Sequence, residues 1–333
     1  MDGFSVQPVE GLRSPVVVIA FSGWSDTGSV TTDAVGRLID AYSAVRFLEV
    51  DPEDYYVFTD TRPTVKLEGT GIRSLAWPRN EAYYARLPDA AHDVIIVRGA
   101  EPNLKWRTFA THLSAAIAAH SPSLVCALVA RPAATPHTRP IPVTGSSADP
   151  ALAARFGLGR SMYQGPTGII GVLHDILRRD HRAPLISLAA GVPHYLNVDE
   201  NPPATAALLR ALEPVIGLPP PVGDLDEQAE RFMQRVEEAS RGDDQIGAYV
   251  RTLEEHYGEL APERAQEILR DHANEPDGIC RHEDEVGDPE GKRLQSVFSV
   301  VMDLGQRELS ATDGPPCSSA YLQLEHAGAA LMR

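Results

Sequence analysis

Apolar residues in this chain occur in short continuous runs that alternate with stretches of helical periodicity. Four of these runs, at residues 16–21, 94–97, 124–129 and 185–189, lead into loops rich in polar and turn-forming residues. Uninterrupted apolar runs of this length are typical of strands buried on both faces of a parallel sheet. Helical spacing occurs between them, at residues 29–42, 109–119 and 168–179. The pattern predicts an α/β fold with a mainly parallel sheet.

Three segments depart from this alternation. Short β-like stretches broken by proline and glycine at residues 51–78 indicate a β-hairpin insertion. After the proline-rich linker at 217–223, two amphipathic stretches predict a helical hairpin, and residues beyond 259 predict a helix at 262–273 and a β-hairpin around Gly305. We therefore expect a core domain at 1–222 with its insertion, a helical lid at 223–258 and an appended α+β tail at 259–333.

Composition narrows the classes of protein. Apolar residues make up 43 % of the chain, and we find no secretory signal and no apolar run long enough to span a membrane. The three cysteines do not form a disulfide framework, so we expect a cytoplasmic protein that does not act at a membrane. Residues 1–222 carry 19 basic and 21 acidic residues, whereas 223–333 carry 11 and 25. Because an acidic surface repels phosphate backbones, nucleic-acid binding is not expected.

The loops after the strands contain the candidate chemistry. Ligands of parallel α/β sheets bind outside the carboxyl ends of the strands, so we expect these loops to line one pocket under the helical lid. The candidate ligand-binding residues are Ser22, Gly23, Trp24, Asp26, Gly28, Arg98, Glu101, His137, Thr138, Arg139, Tyr163, Gly165, Thr167, Gly168, His194 and Tyr195.

The strand-to-helix loop at 22–29 has two readings. Backbone amides at the helix N-terminus could hold an anion, but Ser29 and Val30 stand where a phosphate loop needs Lys and then Ser or Thr. Equally, the loop could be a tight turn capped by Ser or Asp. Arg139 could pair with an anion and His137 could move protons, or both could be structural. No complete catalytic set and no metal site is evident, so we expect neither a metal nor a cofactor.

Many motifs in fixed order carry a resemblance over about residues 1–255. They are Phe21-Ser22-Gly23-Trp24-Ser25-Asp26-Thr27-Gly28, Arg62-Pro63, Trp77-Pro78, Gly99-Ala100-Glu101-Pro102, Trp106-Arg107-Thr108-Phe109, Pro136-His137-Thr138-Arg139-Pro140, Tyr163-Gln164-Gly165-Pro166-Thr167-Gly168 and Pro193-His194-Tyr195. This set closely resembles the actinobacterial branch of the proteasome-assembly-chaperone family. The resemblance implies a phosphorylase/hydrolase-like core, a β-hairpin used in oligomers, with trimers expected, and a helical lid over a ligand site.

The last ~75 residues differ from that family. The segments 263–271, 278–282, 296–303 and 314–317 resemble the C-terminal end of the penicillin acyltransferase family. Those enzymes use a cysteine that self-cleavage frees at a new N-terminus, and the segment with that nucleophile is absent here. We therefore do not expect their catalysis in this chain.

These observations leave two functional hypotheses. The first is a non-enzymatic homo-oligomer that binds a small anionic ligand or a protein client at the strand ends. The alternative is a phosphorylase- or hydrolase-like enzyme that acts on a small substrate under the lid. Absence of a nucleophile–base set favours the first, and the His, Arg, Glu and Tyr residues at the strand ends favour the second.

Overall fold

The computed structural model describes residues 3–69, 71–161, 163–241 and 244–257, together with short strands at 300–303, 308–312 and 321–323. The chain divides into two compact units, Met1–Leu253 and Glu254–Arg333. The first unit contains every candidate site residue. The three-part division into core, lid and tail stays a prediction.

An eight-stranded sheet forms the centre of the first unit. Its strands, in chain order, are β1 (Phe4–Val6), β2 (Val16–Ser22), β3 (Val45–Val50), β6 (Asn80–Ala85), β7 (Val94–Ala100), β8 (Leu124–Ala133), β9 (Val143–Ser146) and β10 (Leu185–Pro193), and β4 and β5 belong to the insertion described below. The spatial order is β1-β3-β6-β7-β2-β8-β10-β9. The four central strands are parallel, which confirms the prediction from the apolar runs, and the flanking strands join antiparallel.

Helices cover both faces of this sheet. They are α1 (Val30–Ala41), α2 (Trp106–Ala118), α3 (Pro150–Phe156), α4 (Ile169–His181), α5 (Pro202–Ala211) and α6 (Glu213–Ile216). Leu38 of α1 and Leu208 of α5 belong to the core on one face, while Leu113 of α2 and Leu173 of α4 belong to the core on the other. Because successive strand residues point to opposite faces, the apolar runs supply both cores.

The insertion contains a separate two-stranded sheet. Strands β4 (Thr64–Glu68) and β5 (Ile72–Ala76) pair antiparallel with each other in a sheet of their own. The prediction of a β-hairpin is confirmed for this part. Residues 55–58 are not a β segment, as the apolar pattern had suggested, since they form turns after a short 3-10 helix at Pro52–Asp54. Tyr55 and Tyr56 are buried there in the core.

The helical hairpin consists of α7 (Leu225–Arg241) and α8 (Asp244–Tyr257). Leu225 and Phe232 of α7 are buried, as are Val250 and Leu253 of α8. The predicted helical pair is therefore present, and its apolar face is packed against protein.

In the second unit, β11 (Val300–Asp303), β12 (Glu308–Thr312) and β13 (Tyr321–Gln323) form an antiparallel sheet. The pairing of β11 with β12 agrees with the hairpin predicted around Gly305. The helix expected at 262–273 lies outside the described residues.

Candidate functional site

The N-terminus of α1 is occupied by a carboxylate of the chain itself. Asp26 Oδ1 accepts hydrogen bonds from the Thr31 amide at 2.6 Å and the Thr31 hydroxyl at 2.7 Å, and Oδ2 accepts from the Thr32 hydroxyl at 2.5 Å. Asp26 is buried. A carboxylate at this position complements the positive end of the helix dipole. The geometry therefore favours the capped-turn reading of this loop over the anion-binding one.

The N-terminus of α4 is occupied in the same way, but from a distant part of the chain. Glu101 Oε1 accepts from the Ile169 amide at 2.6 Å, and Oε2 accepts from the Trp24 amide at 3.3 Å. A Cβ at Gly168 would lie 2.7 Å from Glu101 Oε1. Gly23, at φ +114°, lies against the Glu101 side chain. These two glycines leave room for the carboxylate, which joins the loops after β2 and β7 to α4.

His137 lies in a different environment, beneath α7. The Tyr195 hydroxyl accepts a hydrogen bond from the His137 amide at 2.7 Å and lies 2.8 Å from His137 Nδ1, while Nε2 lies 3.4 Å from Glu237 Oε2. This arrangement favours the tautomer with the ring proton on Nε2, facing Glu237. The side chain of His137 is only 2 % exposed. It therefore joins the loop after β8 to α7.

His194 makes the corresponding contact with α8. Its Nδ1 lies 3.0 Å from the Ala133 carbonyl oxygen, and its Nε2 lies 3.1 Å from the Tyr249 hydroxyl. The rings of His194, Tyr195 and Tyr249 pack edge to face, with centroids 5.5–6.0 Å apart. This His–Tyr cluster, defined as His137, His194, Tyr195 and Tyr249, holds the helical hairpin against the strand ends.

A cavity of about 1390 Å³ lies beside α4. Four of the predicted residues line it: Trp24, Tyr163, Thr167 and Gly168. Trp24 is 67 % exposed. Gly165 sits in the adjoining loop, where the Tyr163 hydroxyl donates to the Pro166 carbonyl oxygen at 2.9 Å.

Four arginines that the sequence did not single out also line this cavity: Arg131, Arg160, Arg178 and Arg182. Only the helical periodicity of positions 171, 174, 178 and 182, on one face of α4, could have pointed to the last two. Arg131 ends an apolar strand and Arg160 lies in a loop, and no local pattern relates them.

His174 lines the same cavity. The residue is half-buried, and its Nε2 is buried and makes no hydrogen bond with the described residues. Burial lowers the pKa of His174 from its ordinary value of 6.5 to about 4. The imidazole is therefore neutral at pH 7 and is not itself a cationic anion ligand.

A second cavity of about 680 Å³ contains Ser22 and Arg98, together with Lys66 and Arg79. A Cβ at Gly36 of α1 would lie 3.3 Å from Arg98 Nη1, so Arg98 faces the α1 side of the sheet. Burial, together with a hydrogen bond to Glu81, raises the pKa of the nearby Tyr83 to about 12.

We expected the candidate residues to line one pocket, but they are distributed over several places. Trp24, Tyr163, Thr167 and Gly168 share the first cavity, Ser22 and Arg98 the second, and no residue of α7 or α8 lines either one. Gly28 packs on Asn201, which precedes α5. Thr138 and Arg139 are exposed beyond His137. Whether any of these residues binds a ligand stays a prediction.

Among the described residues, no cluster of three His, Cys, Asp or Glu side chains is placed to hold a metal ion. None of the helices in that part of the chain is both long and apolar enough to cross a bilayer.

The fold and the site define an α/β protein in which the loops after two central parallel strands, β8 and β10, contact a helical hairpin. The model of the PAC2 family matches residues 20–240, and the chain belongs to this family. This confirms the resemblance to proteasome-assembly chaperones. The resemblance of the tail to penicillin acyltransferases stays a prediction.

Solved structures agree with this assignment. A PAC2 family protein from Streptomyces avermitilis is 40 % identical, with 71 % of this chain and 99 % of that chain covered and a TM-score of 0.65. A proteasome-assembly chaperone homologue from Mycobacterium tuberculosis is 39 % identical, with the same coverage and a TM-score of 0.63. A protein of unknown function from M. tuberculosis is 26 % identical, with 77 % and 91 % covered and a TM-score of 0.69. No curated protein has a significant match to this chain.

Proposed function

We propose that this chain is a non-enzymatic protein that forms homo-oligomers through its β4–β5 hairpin and binds a protein partner. The single observation that carries the proposal is an apolar face on that hairpin. Val65 pairs with Leu75 and Leu67 with Arg73, so Val65, Leu67 and Leu75 lie on one face. They are 58 %, 73 % and 57 % exposed.

Exposed apolar side chains grouped in this way mark interaction surfaces. A two-stranded sheet also presents unpaired strand edges, which pairing with another copy would satisfy. The opposite face carries Lys66 and Ser74, which line the second cavity together with Leu75 of the apolar face. We therefore place another copy of this chain on the apolar face, and a trimer is the expected assembly.

Burial of His137 weighs against the enzyme alternative. It was the best candidate for a general base, and its side chain is engaged by Tyr195 and Glu237 with almost no exposed surface. A base that a substrate cannot reach does not transfer its proton. One relative carries the name of a proteasome-assembly chaperone homologue, which supports a protein as the partner here. A cytoplasmic location remains a prediction.

The test is the double variant Val65→Lys/Leu75→Lys. We expect light scattering after size exclusion to give the mass of one chain, while the parent gives a multiple. Lys66→Glu, on the opposite face of the same strand, is the matched control and should keep the parent mass. A monomeric parent at all concentrations, or an unchanged mass in the double variant, would contradict the proposal.

The anionic ligand expected from the sequence is a separate proposal, and its site lies away from the β4–β5 hairpin. Asp26 and Glu101 already fill the two helix N-termini, whereas the first cavity has arginines along its wall. We therefore place an anionic ligand beside Arg131 and Trp24. Titration with inorganic pyrophosphate should change Trp24 fluorescence weakly and saturably, and Arg131→Ala should remove the change. Identical titrations of parent and variant would contradict this placement.

A further inference from the structure

The first cavity is an open groove along one side of α4, and its floor is a sheet face that none of the helices in the described part of the chain covers. The floor consists of Leu185, Ser187 and Ala189 on β10, with Val129 of β8 paired in register with Ala189. The three β10 residues are half-exposed, whereas Ile186 and Leu188 between them are buried on the other face. One wall is α4, whose other side packs on α2. The groove is therefore apolar at its base.

Positive charge lines the rim of this groove. Arg131, Arg160 and Arg182 are exposed, and their guanidinium groups make no hydrogen bond or ion pair with the described residues. The two acidic residues in the lining are already engaged. Asp149 caps α3 by accepting from the amides of Ala151 and Leu152, and Asp175 pairs with Arg178 and Arg179. Residues 1–222 carry 19 basic and 21 acidic residues, so the rim is a local excess of positive charge on a nearly neutral part of the chain.

The length of the groove distinguishes between ligands. Gly168 and Arg182, at its two ends along α4, are 14 residues apart, which corresponds to roughly 21 Å of helix. The volume of about 1390 Å³ exceeds the range of roughly 300–1,000 Å³ that drug-sized ligands occupy. A single phosphate or carboxylate can contact only one end. An extended peptide of about six residues spans the whole length.

We propose that this groove binds an extended acidic segment of a protein partner, with acidic side chains on the arginine rim and apolar side chains on the floor. The proposal rests on the partner-binding function proposed above and names the chemistry of the partner. Strand addition to the floor is excluded, because β10 is paired with β8 on one side and with β9 on the other. Recognition is therefore made by side chains and not by a new ladder of backbone hydrogen bonds.

The floor also favours a peptide over a nucleic acid. Leu185, Ala189 and Val129 offer apolar contact to aliphatic side chains, which a phosphate backbone does not have.

The experiment uses the full chain and a fluorescein-labelled octapeptide of alternating Glu and Leu. We expect the fluorescence anisotropy to rise saturably with protein concentration, with an affinity for the peptide at least about tenfold higher than the affinity for pyrophosphate measured by competition. The double variant Arg160→Glu/Arg182→Glu should weaken peptide binding about tenfold or more. Arg107→Glu is the control for a charge reversal, because Arg107 is exposed on α2 outside the groove lining and the variant should keep the parent affinity. A peptide with Gln in place of Glu should bind at least about tenfold more weakly.

Four outcomes overturn the proposal: no saturable binding, equal affinity of the parent and the double variant, pyrophosphate as tight as the peptide, or tighter binding of a single-stranded oligouridylate. Light scattering on the same samples separates this proposal from the hairpin proposal. Arg160→Glu/Arg182→Glu should keep the parent mass, and Val65→Lys/Leu75→Lys should keep the parent affinity for the peptide. A monomeric parent that binds the peptide would refute only the hairpin proposal, and an oligomeric parent that does not bind it would refute only the groove proposal.

Discussion

Glu101 and Ile169 are 68 positions apart in the chain, yet the carboxylate of the first accepts a 2.6 Å hydrogen bond from the amide of the second. The bond ties the end of β7 to the beginning of α4. Gly168, which precedes the helix, has no side chain with which to cap it. Glu101 therefore does from a distance what an N-cap residue usually does locally.

We predict that Glu101→Ala lowers the free energy of unfolding by about 1–2 kcal/mol, because two backbone amides lose their acceptor. It should also create an anion site, so that millimolar phosphate stabilises the variant more than the parent. Urea unfolding with and without phosphate measures both effects. Glu10→Ala, at an exposed position, is the control. Equal phosphate stabilisation in parent and variant would show that Glu101 does not occupy an anion site.

Gly99→Ala should be strongly destabilising. The new Cβ would lie 1.9 Å from Asn80 Oδ1 and 2.7 Å from Phe21 Cε1, both of them on buried residues. We expect a loss of about 2–3 kcal/mol in urea unfolding. At Gly159 the nearest atom to an added Cβ is 3.8 Å away, so Gly159→Ala should stay within about 0.5 kcal/mol of the parent. Similar losses in the two variants would refute the packing explanation.

We predict that the contacts of the His–Tyr cluster limit local opening of the helical hairpin. The double variant Glu237→Ala/Tyr249→Phe removes the contacts of the hairpin with His137 Nε2 and His194 Nε2. Amide hydrogen exchange in α7 should become faster, while exchange in the central strands stays unchanged. Glu238→Ala, at the neighbouring exposed position, controls for a lost acidic residue. Parent-like exchange in α7 would mean that apolar packing alone holds the hairpin.

His174 should make the fold sensitive to acid. Its pKa is about 4 in the folded protein and about 6.5 when unfolded, so between these values the unfolded state binds more protons. Stability from this residue is complete above pH 6.5 and is lost as the pH falls toward 4, by up to about 3 kcal/mol. His174→Phe should reduce the difference in melting temperature between pH 7.5 and pH 5. His181→Phe, at the end of the same helix, is the control, and an equal reduction in both variants would contradict the prediction.

The layout of the fold follows from local patterns, whereas the distribution of the site residues does not. Val16–Ser22 could be assigned because it is apolar on both faces, and α4 because its apolar residues repeat with helical spacing. The partners of Glu101 could not be assigned, because Trp24 and Ile169 present backbone amides, which look alike at every position. His137 and Arg139 look equivalent in sequence, but only tertiary packing decides that the first is buried and the second exposed.

The end of β8 and the loop that follows it serve two surfaces at once. Arg131 and Pro132, near the end of the strand, line the groove, and five residues beyond Pro132 the loop places His137 against Glu237 of α7. A ligand that displaces this loop would disturb the contact of the hairpin. Amide hydrogen exchange in α7 therefore reports groove occupancy without a label, at a helix that does not line the groove.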